Sequence, residues 1–169
     1  MNPICKIVET PIDCAQVISH IADEQHGAQN VFIGNVRNHN MGKQVLSVSY
    51  DAFGELAENV FGEICSEAAG KWGSDIRCAV FHRVGSLGIG EASIVIAVGS
   101  RHRDESYQAS RYIIEQIKTR APIWKKEFYT DGETEWVRGH ALCGHHAHAG
   151  LDAAADDVNA RSNEIRGNH

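Results

Sequence analysis

The chain has 169 residues, 43% hydrophobic and 22% charged, which is typical of a globular protein and excludes a disordered or fibrous one. Its net charge of −6 disfavours a nucleic-acid binder with a broad basic surface. No segment approaches the roughly 20 apolar residues of a membrane span, and the first ten residues lack the pattern of a signal peptide, so we expect neither secretion nor membrane insertion.

The first predicted elements are a strand, a helix and a second strand. Ile4 to Val8 is a short predicted strand, and Pro11 with Asp13 opens a helix that should run to about Asp23. The next strand, Ala28 to Val36, contains three consecutive apolar residues, which is typical of a strand covered on both faces. A polar loop follows it, beginning at Arg37.

The next segment predicts a strand with one wet face and then a long helix. Leu46, Val48 and Tyr50 alternate with polar residues, as in a strand that buries a single face. From Glu55 to Trp72 apolar residues recur at intervals of three and four, which predicts an amphipathic helix long enough to cover a sheet.

The following segment predicts two strands joined by a turn, and a second long helix. Ile76 to Arg83 and Ala92 to Gly99 read as strands, and the glycine-rich segment 85–90 reads as the hairpin turn between them rather than a phosphate-binding loop. Asp104 is the expected N-cap of a helix that Pro122 ends.

The last predicted elements form a hairpin and complete the fold class. Ile123 to Tyr129 and Thr134 to Val137 flank Asp131-Gly132, a strong hairpin signal. Strands and helices do not alternate regularly, so the sequence predicts an α+β fold with a mixed, largely antiparallel sheet and two main covering helices. We expect one domain over residues 1–139.

Residues 140–169 have a different character. This segment has no apolar periodicity and predicts a mobile, histidine-rich tail. Cys143, His145, His146 and His148 match no closed zinc template, so no specific metal site is predicted.

The cysteines indicate a reducing compartment. All five are widely spaced, without a CxxC pair, and at least four are expected to be packing residues. We therefore expect the protein to be cytoplasmic.

Positive charge is concentrated in one part of the sequence. The 26 residues from Arg101 to Lys126 carry a net charge of +4, whereas the rest of the chain carries −10. Ser100 to Asp104 joins a buried strand to a helix, where free backbone N–H groups favour anions, although a solvated, capped loop explains the same residues. The sequence lacks the P-loop, GxGxxG, GxSxG and HExxH motifs, so the common nucleotide-binding, hydrolase and zinc-protease classes have no support.

Three lysines are candidates for chemistry at an anionic ligand. Lys118 lies in the last predicted turn of its helix, where interaction with the helix dipole is the alternative role. Lys125 and Lys126 are neighbours on a strand and must face opposite sides, so only one of them should enter a given pocket. Crowded cations lower the pKa of a lysine, which favours proton transfer or nucleophilic attack. His82, at the end of a predicted strand, is expected to be a structural histidine.

Four segments together resemble the catalytic large subunit of molybdopterin synthase. They are GNVRNHN at 34–40, HRVG at 82–85, SRHR at 100–103 and KTRAPIWKKE at 118–127, and the resemblance covers about residues 27 to 138. The last segment is the most specific. The first 25 residues and the tail match poorly.

The resemblance implies a sulfurtransferase that acts with a partner. In that family the large subunit forms a homodimer and binds a small ubiquitin-like sulfur carrier at each end, giving a heterotetramer. The carrier's C-terminal glycine thiocarboxylate donates sulfur to cyclic pyranopterin monophosphate, and two transfers yield the dithiolene of molybdopterin. No cofactor, metal, nucleic acid or membrane is implied.

Residue roles carry over only by matching position. The resemblance implies that Lys118 and Lys125 are the catalytic pair. The implied substrate-binding residues are Asn35, Val36, Arg37, His102, Arg103, Lys126 and Glu127. Fixed arginine and lysine donors suit two anionic reactants and the negative charge that sulfur transfer develops.

Two other classes of function fit parts of the sequence. A non-enzymatic module would use the same cations to hold an anionic peptide tail or a phosphorylated metabolite. Single-stranded RNA binding would use basic residues near Tyr107, Trp124 and Tyr129, but the acidic remainder of the chain argues against it.

Overall fold

The computed structural model describes residues 2–138, which form two β-sheets and three helices. In chain order the elements are β1 (Ile4–Val8), α1 (Cys14–Ser19), β2 (Ala28–Asn35), β3 (His39–Asn40), β4 (Lys43–Ala52), α2 (Gly54–Trp72), β5 (Arg77–Arg83), β6 (Gly85–Gly88), β7 (Ala92–Ser100), α3 (Arg103–Arg120), β8 (Ile123–Tyr129) and β9 (Thr134–Arg138).

The predicted α+β class is confirmed, with the strands divided between two sheets. The first sheet has the order β1-β5-β7-β2, in which only the β1–β5 pair is parallel. The second has the order β3-β4-β8-β9, with β6 also paired to β4, and all of its pairs are antiparallel. The hairpin expected around Asp131-Gly132 is the β8–β9 pair.

The main core lies between the first sheet and helices α2 and α3. The apolar stripe predicted for α2 buries Phe61 and Ile64 completely, and α3 contributes Ile113 and Ile117. Helix α1 covers the opposite face of the same sheet with Val17. Because β5 and β7 are covered on both faces, they are nearly continuous runs of buried residues.

The helix ends agree in part with the sequence. Asp13 is the N-cap of α1 and its Oδ1 accepts from the Ala15 N–H at 2.9 Å, but the helix ends at Ser19, four residues before the expected end. The prediction that Asp104 is the N-cap of α3 was wrong. His102 occupies that position without a capping side chain, and Asp104 lies inside the first turn, where its charge favours the helix dipole.

The prediction that β2 is covered on both faces was wrong. This strand pairs only with β7 and is the edge of its sheet. In the single chain its faces are only partly covered, since Phe32 and Ile33 are 37% and 43% exposed. A run of apolar residues is therefore not enough to tell a central strand from an edge strand.

Two details of the second sheet also differ from expectation. An irregularity in the β4–β8 register between Val45 and Ser47 breaks the alternation, so Leu46 is 58% exposed while Val48 is buried. The glycine-rich segment after β5 is more than a turn, because Gly85–Gly88 forms β6 and pairs with β4 in the other sheet.

Within residues 2–138, no helix combines the length and the apolar character that a bilayer span requires. The predicted boundary at 139/140, the predicted tail 140–169 and the Cys143, His145, His146 and His148 cluster lie outside the described residues.

Candidate active site

A cavity of about 360 Å³ lies where the two sheets meet below the C-terminal end of α3. Its lining combines cationic, neutral polar and apolar side chains from both sheets and from α3. The lining residues are Phe32, Gly34, Asn35, Arg37, Tyr50, His82, Ser93, Ile94, Ile114, Ile117, Lys118, Ala121, Ile123, Trp124 and Lys125.

The topology explains why these residues meet. Strands β2 and β5 end at the edge of the first sheet where β7 begins, because both pair antiparallel with β7. Gly34 fits there because a Cβ on it would lie 2.8 Å from Cγ2 of Ile94. Pro122 then ends α3 and sends the chain into β8, which brings Lys118 and Lys125 to the same cavity.

Lys125 is held by a buried carboxylate. Its Nζ donates to Oε1 of Glu127, and the two side chains are 16% and 7% exposed. The other oxygen, Oε2, accepts from Nδ2 of Asn40 at 2.8 Å and from the hydroxyl of Tyr129. Three donors therefore meet one carboxylate, which fixes both the position of Glu127 and the direction of Lys125.

The protonation of Glu127 follows from these contacts. Burial alone raises the pKa of a carboxyl group, but the hydrogen bonds from Lys125 and Tyr129, with the charge of Lys125, outweigh burial and hold the pKa of Glu127 below its usual value. Glu127 is consequently ionised at neutral pH. The same carboxylate raises the pKa of Tyr129, which stays a neutral donor.

The other cations of the cavity are more accessible. Lys118 projects from the last turn of α3, and Arg37 follows the end of β2; both side chains are exposed at the cavity together with Asn35. A smaller hollow of about 50 Å³ includes Val36 and Glu127. It shares four residues with the cavity: Asn35, Arg37, Tyr50 and Lys125. Val36 itself is buried in the second sheet's core, where its backbone N–H donates to the Glu91 carbonyl and its carbonyl accepts from the Gly90 N–H.

Lys126 faces away from the cavity, as the alternation of the strand requires. Its Nζ lies 5.3 Å from the centre of the Phe128 ring and 6.0 Å from that of Trp136. The expectation that Lys125 and Lys126 serve different faces is thus confirmed by the geometry. In the single chain, Lys126 is not part of the cavity lining.

His102 and Arg103 are not brought to the cavity within one chain. They lie at the start of α3, about 22 Å along the helix axis from Lys118 near its end. His102 lines a separate, shallow hollow with His26 and Arg101. The resemblance groups these two residues with Lys118, but a single straight helix cannot place both of its ends in one pocket.

His82 and Tyr50 are cavity residues that sequence reasoning does not assign to the site. The sequence favours a structural role for His82, yet this residue lines the cavity, and its ring packs edge-on against Tyr50 with 5.1 Å between centroids. The usable signal was its place in the HRVG segment of the resemblance. The position of His82 as a polar residue at the end of an apolar strand was a second signal that it could line a site.

Comparison with known proteins now identifies the family. The profile of the family described as MoaE protein matches residues 7–120. A molybdopterin synthase catalytic subunit of Synechococcus elongatus is 43% identical over 133 residues, which are 79% of each chain. The chain belongs to the MoaE family. Its resemblance to the catalytic subunits of molybdopterin synthase is confirmed.

Solved structures agree with this assignment. Molybdopterin synthase of Staphylococcus aureus matches with a TM-score of 0.75 and 36% identity over 79% of this chain and 96% of that one. A Helicobacter pylori structure, described as a complex of subunits 1 and 2 of molybdopterin-converting factor, matches with a TM-score of 0.64 and 21% identity over 79% of this chain and 89% of that one. The second likeness is one of fold alone. The cavity is thus a feature of a MoaE-family fold.

Proposed function

We propose that this MoaE-family chain transfers sulfur from the C-terminal thiocarboxylate of a small ubiquitin-like carrier to cyclic pyranopterin monophosphate. The observation that carries the proposal is the convergence of Lys118 and Lys125, from different elements, on one cavity with Arg37. At each transfer a carbon–sulfur bond forms on the substrate while a carbon–oxygen bond at the same carbon breaks and that oxygen leaves, and the acyl–sulfur bond of the carrier breaks. Water then supplies the oxygen atom that converts the acyl end of the carrier tail into a carboxylate.

Lys125 is the residue best placed to act on the transferring group. Its ammonium is directed by a buried, ionised Glu127, so it serves as a fixed positive charge and proton donor rather than as a free amine nucleophile. The reaction concentrates negative charge on sulfur and on the acyl oxygen. A preorganised ammonium stabilises that charge without reorganising in the transition state.

Lys118 and Arg37 have a different role in this proposal. Both are exposed at the cavity and neither is paired with a described carboxylate, so they are available to neutralise the phosphate and the incoming thiocarboxylate. Asn35 adds a neutral hydrogen-bonding group at the same edge. We assign Lys118 to catalysis and Asn35, Val36, Arg37 and Glu127 to the site around it, with Glu127 acting through Lys125.

The proposal includes two protein partners. The Helicobacter pylori structure is described as a complex of two subunits. For this chain we propose a complex with a small carrier whose tail enters the cavity. We further propose a homodimer within a heterotetramer, because edge strand β2 exposes Phe32 and Ile33. His102, Arg103 and Lys126 keep their predicted substrate-binding role as a proposal. We propose a cytoplasmic location.

The test is sulfur incorporation in a single turnover. The purified chain is mixed with thiocarboxylated carrier and cyclic pyranopterin monophosphate, and product is followed by mass spectrometry. We expect product with the natural chain and at least a hundredfold slower formation with Lys118→Ala. Lys6→Ala, an exposed lysine of β1 outside the cavity, is the matched control. Binding of both reactants without sulfur transfer would instead support the non-enzymatic module.

A further inference from the structure

His82 interrupts an otherwise apolar row of the first sheet. Cys78, Val80 and His82 alternate along β5 on the face toward α2 and α3, and the first two belong to the main core. Its antiparallel register partner, Ile94, is also a core residue. An apolar side chain would satisfy packing at position 82, so packing alone does not explain why a histidine is present there. The row reaches the cavity at this residue.

The contacts of His82 fix its tautomer. Nδ1 lies 2.9 Å from the carbonyl oxygen of Arg83, and a carbonyl can only accept, so Nδ1 carries the hydrogen. In a neutral imidazole the other nitrogen, Nε2, is then an acceptor. Burial lowers the pKa of His82 to about 4, which keeps the ring neutral at physiological pH. The ring therefore adds an acceptor to the cavity but no charge.

The neighbours of His82 extend this neutral part of the lining. Tyr50 contacts the His82 ring edge-on and is the register partner of Lys125 on β8. Burial raises the pKa of Tyr50, so its hydroxyl remains protonated. Ser93 donates to the carbonyl oxygen of Gly34 at 3.0 Å and lines the same cavity. Neutral polar groups thus lie next to the cations that suit a phosphate.

We propose that His82 is a specificity-determining residue whose Nε2 accepts a hydrogen bond from an N–H group of the substrate's heterocycle, while the lysines and Arg37 bind its phosphate. The inference rests on the proposed function and deepens it, since a pterin presents amide-like N–H donors. A ring nitrogen accepts from such a donor, whereas a protonated histidine or a lysine in its place would repel it.

The experiment separates the heterocycle from the phosphate by using each as a probe. Binding of 6-methylpterin, which lacks phosphate, is measured by fluorescence titration, and binding of inorganic phosphate by calorimetry. His82→Asn keeps an amide donor near Nδ1 but has no group at Nε2. His82→Gln can place an amide oxygen near Nε2. Val80→Ala, on the same face of β5 but outside the cavity, controls for loss of packing.

We expect His82→Asn to bind 6-methylpterin about tenfold more weakly and phosphate unchanged, with His82→Gln intermediate and Val80→Ala like the natural chain. Equal weakening of both probes, unchanged pterin binding in His82→Asn, or no pterin binding by the natural chain would each overturn the role of His82. Because binding is read without turnover, a natural chain that binds pterin through His82 but transfers no sulfur would refute the proposed function alone.

Discussion

The cavity and the small hollow beside it are lined by two buried polar groups, one ionised and one neutral. Glu127 on β8 is buried but ionised, because Lys125, Tyr129 and Asn40 all donate to it. His82 on β5 is buried and neutral, because its hydrogen bond goes to a backbone carbonyl and burial disfavours the charged ring. Burial alone therefore does not decide charge; the number and charge of the donors do.

Removing the Lys125 ammonium, which pairs with Glu127, should have the largest effect on sulfur transfer. We expect Lys125→Ala to slow single-turnover sulfur transfer by about a thousandfold, because the fixed charge at the reacting atoms is lost and the buried Glu127 carboxylate loses its counter-charge. The measurement is product formation under saturating reactants.

A matched control separates this effect from a general loss of lysine. Lys71 lies near the end of α2, outside the cavity, and its Nζ is 5.4 Å from the centre of the Tyr112 ring. We expect Lys71→Ala to transfer sulfur at the natural rate. A Lys125→Ala protein that is folded and equally active would remove Lys125 from the mechanism.

The neutral group should be visible in the pH dependence of stability. The pKa of His82 is about 4 in the folded chain, whereas the ordinary value of 6.5 applies to the unfolded chain. Between pH 4 and 6.5 the unfolded chain therefore binds more protons than the folded chain. The free energy of unfolding consequently decreases as the pH falls through this range. The full loss is about 3 kcal/mol. Urea unfolding from pH 7.5 to 4 should show this loss in the natural chain.

His82→Phe provides the comparison, since it fills the site without a titrating group. The difference in unfolding free energy between the two proteins should shift in favour of the variant as pH falls, while contributions from other groups cancel. Parallel curves for the two proteins would mean that His82 is solvated or paired, against its burial in the structure.

The sequence predicted local structure better than it predicted neighbours. Helix α2 was predicted over nearly its whole length because its period of three to four is a local property. The edge position of β2 and the pairing of Gly85–Gly88 with β4 are set by distant segments, so a single stretch of residues does not contain them. The register irregularity between Val45 and Ser47 likewise moved Leu46 off the expected face of β4.

The candidate site shows the same division. Opposite directions for Lys125 and Lys126 follow from strand alternation and were predicted. That Glu127 holds Lys125, and that His82 opens into the cavity, required knowledge of which side chains meet. The position of His102 far from Lys118 was predictable from helix length alone, yet the resemblance grouped the two residues by motif.

Replacing the carboxylate of Glu127 should have an intermediate effect on sulfur transfer. Glu127→Gln keeps the shape but loses the charge that directs Lys125, so we expect kcat to fall about tenfold with a smaller change in KM. Because the folded pKa of Glu127 is lowered, its ionised form stabilises the fold above pH 4.5, and this advantage is lost as pH falls through the folded pKa. The stability gap to Glu127→Gln should narrow in acid; a constant gap would show that ionisation is not involved.

The smallest effect is expected on the outer face of β8. Lys126 contacts the rings of Phe128 and Trp136 and lies outside the cavity of the single chain, so its ammonium is not directed at the reacting atoms. We expect Lys126→Ala to reduce kcat/KM by less than tenfold, through substrate affinity and not through kcat. A loss as large as that of Lys125→Ala, measured in the same single-turnover experiment, would mean that both faces of the strand serve the chemistry. A site completed by a second protein surface would then be required, because alternation prevents one strand from turning both lysines into the same pocket.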